Sequence, residues 1–100
     1  AILIQGKLGG NADRDLFAVF DGHGSERVAI YCAERLGEVL LKHLDGGVAP
    51  LEALRQSFYD LNKEVESFAI NMGCTVVAAL LEGNQIHVAN SNLLLLENHL

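Results

Sequence analysis

Asp21, Gly22 and His23 are the residues of this chain best suited to chemistry. They lie in the run Phe20-Asp21-Gly22-His23-Gly24, directly after the apolar stretch Leu16-Phe17-Ala18-Val19. An acid and an imidazole therefore stand two apart at the end of an expected buried strand, with glycines on both sides of the imidazole. A carboxylate in such a place calls for a polar neighbour, such as a metal ion. Hard cations such as Mg²⁺ and Mn²⁺ take carboxylate and carbonyl oxygens. Asp21 supplies one carboxylate, and Gly22, lacking a side chain, lets the backbone approach an ion closely. His23 could give a proton to a leaving oxygen, because its ordinary pKa lies near neutrality. The helix expected to follow adds N–H groups and a positive dipole end that favour an anion such as phosphate. Together these suit metal-assisted hydrolysis of a phosphate ester. The alternative is a tight strand-to-helix connection, with Asp21 capping backbone N–H groups and the glycines supplying unusual dihedrals. The four residues Asp21 to Gly24 alone leave both readings open.

The other reactive side chains form no site of their own. His43 falls in the last turn of an expected helix, where a cation is favoured. His87 lies in a strand pattern, and His99 is near the end of the chain. No HxxxH or HxH pair occurs, which argues against zinc. Ser25 beside His23 lacks a partner acid in reach, and no nucleophile elbow, P-loop or dinucleotide fingerprint is present. Cys32 and Cys74 form no CxxC pair; they read as two buried free thiols in a reducing, cytoplasmic compartment.

The elements that must hold Asp21 are legible from periodicity. Ile2 to Gln5 reads as a short strand, and Gly6 to Asp15, with its glycines and Asn11, as a loop or hairpin connection. Leu16 to Phe20 is unbroken and apolar, the pattern of a strand covered on both faces. Ser25 is a candidate N-cap. Val28, Cys32, Leu36, Val39 and Leu40 then recur at helical spacing, predicting a helix from Glu26 to His43, modestly weakened by Gly37 and ended at Asp45-Gly46-Gly47. Pro50 suits the first turn of a second helix. Its stripe of Leu51, Leu54, Phe58, Leu61, Val65 and Phe68 is expected to pack on the domain's own sheet rather than form a coiled-coil seam. Asn71-Met72-Gly73 should break that helix. Cys74 to Leu81 is a second unbroken apolar run. Gly83-Asn84 is a plausible tight turn, Ile86-His87-Val88-Ala89 the returning strand, and Leu93 to Leu96 one further candidate strand. Two helices between strand pairs give an α+β class with largely antiparallel pairing. A sheet with helices on one side and another sheet on the other would bury both long strands.

Composition sets outer limits. One hundred residues correspond to one small domain, 1–100, able to bury a single core. The formal charge is −6, and the seven basic residues are scattered, so nucleic acid is not an expected partner. No run reaches the roughly 18 consecutive apolar residues of a membrane span. Ala1-Ile2-Leu3-Ile4-Gln5 lacks the pattern of a secretory signal and reads as a strand.

Leu16-Phe17-Ala18-Val19-Phe20-Asp21-Gly22-His23-Gly24, followed by an amphipathic helix with Ala29, Tyr31 and Cys32, resembles the metal-dependent serine/threonine protein phosphatases of class 2C. Gly73-Cys74-Thr75-Val76-Val77-Ala78-Ala79-Leu80 is similar to that family's Gly-Ser-Thr-Ala strand, and Ile86-His87-Val88-Ala89-Asn90 to its next one. The resemblance covers Asp15 to Asn90. It implies a sandwich of two antiparallel sheets flanked by helices, with a two-metal centre of Mg²⁺ or Mn²⁺ at one end. On that template Asp21 bridges both ions, Gly22 offers its carbonyl to one, His23 is the general acid, and a metal-activated water attacks the phosphorus of a phosphoprotein substrate.

The departures from that pattern are as informative. The family's arginine and Glu-Asp pair upstream of the Asp-Gly-His-Gly strand have no counterpart before Leu16; Asp13 and Asp15 fall in the expected loop. Where the family continues Val-Gly-Asp-Ser-Arg, this chain has Ser91-Asn92-Leu93-Leu94-Leu95. The family's later aspartates lie beyond the length of this chain. A pair of divalent ions needs several carboxylates, so the 100-residue chain is expected to bind metal weakly or not at all and to be inactive alone. Three readings follow: an N-terminal part of a phosphatase domain whose complete parent hydrolyses phosphoserine and phosphothreonine; a non-catalytic relative serving as a regulatory or binding module; or an unrelated α+β domain. Uncovered sheet edges would invite self-association or pairing with the rest of the domain.

Overall fold

The computed structural model describes residues 1–23, 26–68 and 73–94; for residues 23, 93 and 94 the description is of the backbone. Its elements are β1 (Ile2–Gln5), a 3₁₀ turn (Leu8–Gly10), β2 (Arg14–His23), α1 (Arg27–Asp45), α2 (Pro50–Val65), β3 (Gly73–Glu82) and β4 (Gln85–Leu94). The four strands form one antiparallel sheet in the order β1-β2-β3-β4. Both helices pack on one face of it, α1 over β1 and β2 and α2 over β4. The fold is α+β, as the periodicity predicts.

Strand alternation decides the core. In β2, Leu16, Ala18 and Phe20 point toward the helices and are buried; in β3, Cys74, Val76, Ala78 and Leu80 do the same. They meet the buried stripes of α1 (Val28, Cys32, Leu36, Leu40) and α2 (Leu54, Phe58, Leu61, Val65). Ser57 is the buried polar side chain of this layer, and its hydroxyl donates to the Ala53 carbonyl at 2.7 Å, so it enters the core satisfied.

The alternate residues of the same strands face the other way, and here the expectation of two covered faces fails. Ile2 and Ile4 are each 71% exposed, Val19 54% and Val77 51%, with Phe17, Ile86 and Val88 beside them. Register joins them into rows: Ile4–Phe17–Ala79–Val88 and Ile2–Val19–Val77–Asn90. An unbroken apolar run thus marks a strand whose second face is apolar without being covered by anything within the described residues.

Several boundaries differ from the sequence reading. β2 begins at Arg14, because Arg14 pairs with Glu82 in register and through an ion pair, drawing Asp15 out of the expected loop into the ladder. α1 runs from Arg27 to Asp45, with Glu26 rather than Ser25 at its N-cap; Ser25 lies outside the described residues. α2 ends at Val65. Phe68 sits beyond it, edge-on to Tyr31 at 5.1 Å, with the Arg27 guanidinium 5.4 Å from its ring centre. Leu51 opens the apolar stripe of α2 yet is 43% exposed. The candidate strand at Leu93–Leu96 is no separate element: β4 continues through Leu94, and residues 95 and 96 lie outside the described residues, as do Asn71 and Met72. The two-residue turn at Gly83-Asn84 forms as expected, with Gly83 at φ +62°.

Candidate metal centre

Asp21 takes its position from the alternation of β2. Phe20 points into the helical layer, so Asp21 points to the opposite face and is exposed there. It lies one row beyond the apolar rows. Its register partner is Thr75, whose own partner on β4 is Asn92. A carboxylate, a hydroxyl and an amide therefore line up across three strands about 4.8 Å apart, at one end of an apolar face. Sequence reading missed Thr75 and Asn92. Counting back through the Gly83 turn would have paired Thr75 with Asn92, since a two-residue hairpin fixes the register; their place beside Asp21 rests on the β2–β3 register, which no local pattern encodes.

β1 stops short of this end. Its last registered pair is Ile2 with Val19, after which the Ala1 amine donates to the Phe20 carbonyl at 2.6 Å and the Phe20 amide donates to the Ala1 carbonyl at 2.8 Å. Asp21, Gly22 and His23 continue beyond that point, held by β3 through Thr75, Cys74 and Gly73. Gly22 is half-buried. The structure thus brings Asp21, Gly22 and His23 together at the end of β2; the His23 side chain is outside the described residues.

The thiols next to this end are inert. Burial raises the Cys74 thiol above its ordinary range; the Asp21 charge adds to the rise, while the N-terminal amine and a hydrogen bond with the Asp21 backbone oppose it. Burial pushes the Cys32 thiol up to about 12, with smaller contributions from Cys74 and Glu64. Both cysteines are buried and free. Burial thus disfavours the thiolate form that a nucleophile or soft-metal ligand needs.

The two remaining described histidines play no part at Asp21. His43 Nε2 lies 2.6 Å from Asp60 Oδ2, tying α1 to α2. His87 faces the helical side of β4, and its Nε2 is buried with no hydrogen-bond partner among the described residues.

Two divalent ions carry four positive charges, and the residues present do not match them. Among the described residues, no three His, Cys, Asp or Glu side chains gather into a metal-holding group. Asp21 contributes one carboxylate, with Thr75 and Asn92 supplying only neutral oxygens. This set can hold one edge of a metal centre and does not complete one.

A sequence model of the family protein phosphatase 2C matches residues 2–91. Protein phosphatase 2C homolog 3 of Schizosaccharomyces pombe is 35% identical over 82 residues, covering 77% of this chain and 20% of its own length. Probable protein phosphatase 2C member 13, mitochondrial, of Oryza sativa subsp. japonica is 38% identical over 79 residues, covering 75% of this chain and 22% of its own. Probable protein phosphatase 2C 6 of Paramecium tetraurelia is 33% identical over 95 residues, covering 79% and 32%. The chain therefore spans 20–32% of the length of these relatives.

Proposed function

We propose a function that starts from one fact: the chain belongs to the protein phosphatase 2C family. It carries part of a protein phosphatase domain. In our reading it is the N-terminal portion of that domain, and the complete parent hydrolyses phosphoserine and phosphothreonine in phosphoproteins with Mg²⁺ or Mn²⁺ in a cytoplasmic setting. Asp21 would be one carboxylate of the metal centre, Gly22 would lend a carbonyl, and His23 would hold the proton for the leaving oxygen. The ions supply the activated water and offset phosphate charge when bound. The observation that supports this reading is the placement of Asp21, exposed at the end of β2 on the face opposite the helices.

This chain alone is proposed to be inactive, because a single carboxylate cannot balance two divalent ions. Calorimetry with Mn²⁺ on the chain should give no binding tighter than about millimolar, the weak end of oxygen-ligand sites. p-Nitrophenyl phosphate hydrolysis by the complete parent should fall at least about a hundredfold in Asp21→Ala, beyond the loss typical of outer-shell residues. Tight Mn²⁺ binding by the chain would refute its incompleteness. Full activity in the Asp21→Ala parent would refute the role of the acid.

One observation favours a second reading. Ser91-Asn92-Leu93-Leu94-Leu95 stands where the family continues Val-Gly-Asp-Ser-Arg, and through Leu94 it extends β4 as regular strand. A parent that bears this segment and shows no hydrolysis would be a non-catalytic regulatory or binding module.

A further inference from the structure

Phe68 departs from the part its spacing assigns it. It continues the apolar stripe of α2, yet the helix ends at Val65, and the Phe68 amide donates back to the Val65 carbonyl at 3.1 Å. Its ring stands edge-on to Tyr31 of α1 at 5.1 Å, and the Arg27 guanidinium lies 5.4 Å from its centre. Tyr31 and Phe68 both pack against the buried core. The Tyr31 ring is itself fixed, because its hydroxyl donates to Glu64 Oε1 at 2.7 Å and Arg35 holds that carboxylate from both sides. Two short connections join this cluster to the end of β2. Gly24, Ser25 and Glu26 alone separate His23 from Arg27, and Ala69, Ile70, Asn71 and Met72 alone separate Phe68 from Gly73. His23 and Gly73 are register partners, the last pair of the β2–β3 ladder among the described residues. The Arg27–Phe68 contact and the His23–Gly73 pair therefore close a ring of chain, one at each end. The ladder is weak here by composition: Gly22 and Gly73 bring no side chain to pack, and glycine gives up the most backbone freedom on ordering. End pairs of this kind are among the first to open.

We propose that Phe68, seated between Arg27 and Tyr31, is a positioning residue that holds Gly22 and His23 in register at the end of β2. Its catalytic meaning rests on the reading of Gly22 and His23 as parts of the metal centre, and it adds to that reading what keeps them in place. The effect is one of restraint. When the His23–Gly73 pair opens, the two strand ends part, and each is tied to the cluster through only a few residues. While the cluster is closed, those ends stay within the span of their connections, so opening gains little chain freedom. Full opening must break the cluster as well as the ladder pair. An edge-on ring pair and a cation over a ring together are worth about a tenfold shift in such an equilibrium. The cluster lies on the helical side of the sheet, opposite the face that exposes Asp21, so it acts on the site through the backbone alone.

Amide hydrogen exchange on the chain as it stands, read by NMR, tests the restraint. In Phe68→Leu, which keeps an apolar side chain and removes the ring, the protected amides among Gly22, His23, Gly73 and Cys74 should exchange about tenfold faster. Those at the far end of the same ladder, Arg14, Asp15, Leu81 and Glu82, should keep their rates. A ring that only fills space would leave both ends as they were or loosen them alike. Phe68→Tyr, which restores a ring, should restore the slow rates. Arg27→Gln, at an exposed position, should move the same amides at least about twofold and covers the case in which Phe68→Leu fails to fold. In the complete parent, Phe68→Leu should lower kcat for p-nitrophenyl phosphate about tenfold, the loss typical of residues behind a ligand, at unchanged KM, and Phe68→Tyr should recover it. Site-end amides indifferent to the substitutions, equal acceleration at both ends, or an unmoved parent kcat would overturn the proposal. Asp21→Ala in the same assay separates the two claims: full activity there refutes the metal-centre reading, and the exchange rates then judge the restraint on their own.

Discussion

Glu64 is the residue on which most interhelical polar contacts converge. Arg35 donates to it in a two-pronged fork, Nε to Oε1 and Nη2 to Oε2, each at 2.9 Å, and the Tyr31 hydroxyl donates to Oε1 at 2.7 Å. Arg35 also pairs with Glu38 one turn along α1. The Arg35 fork holds the Glu64 carboxyl below the usual carboxylate range, against burial that opposes it, and the same contacts raise both the Arg35 guanidinium and the Tyr31 phenol. A lowered folded-state pKa means stability that is fully present above the unfolded carboxyl's value, roughly 4.3. That stability is lost as pH falls through the folded value. Glu64→Gln should therefore cost about 1 kcal/mol near neutral pH. The figure is kept small because the pair is partly exposed, 28% at Glu64 and 33% at Arg35. The variant should also unfold with less dependence on pH below about 4 than the parent sequence. Urea unfolding followed by circular dichroism from pH 7 to 3 checks both. A variant with an unchanged acid profile would show that the fork carries no linkage.

At the scale of elements, α1 contains one position that is poor for a helix in isolation. Gly37 lies in its middle, where glycine costs about 1 kcal/mol relative to alanine. A Cβ there would press against the Gln5 side-chain oxygen of β1. Gln5 is exposed and long, so its end can swing away while the helix gains backbone order. Gly37→Ala should thus raise stability by roughly 0.5–1 kcal/mol, read as a higher urea midpoint at unchanged slope. A loss of stability would mean that the Gln5 amide is fixed against α1. Element type was legible throughout: the spacing of Val28, Cys32, Leu36 and Leu40 marks a helix whichever surface it meets. Element ends were less so. Where β2 begins depends on the cross-strand pair Arg14–Glu82, 68 residues apart in sequence, and no local pattern encodes that distance.

For the whole molecule, the dominant feature is the bare second face of the sheet. Its apolar rows gain nothing from burial within the described residues, so changing them should not weaken the fold. Val19→Thr combined with Val77→Thr should alter unfolding free energy by less than about 0.5 kcal/mol, the range for surface positions, and should sharply lower binding of a hydrophobic dye. A cost of about 2 kcal/mol or more, as for burial of two aliphatic side chains, would show that the face is covered. Such a face, larger than isolated residues would make, marks a contact surface. It matches a chain that spans only 20–32% of the length of its relatives. Asp21 stands at the rim of that face.

The sequence by itself determined the class of each element, the buried stripes, the turn at Gly83 and the acid worth singling out, because each depends on side-chain periodicity or backbone preference within a few residues. The tertiary structure alone decided that one face of the sheet is uncovered among the described residues and that Thr75 and Asn92 share a row with Asp21. Those facts depend on strand order and register, set by contacts between segments far apart in the chain. An apolar run reads the same whether its second face meets another sheet or water.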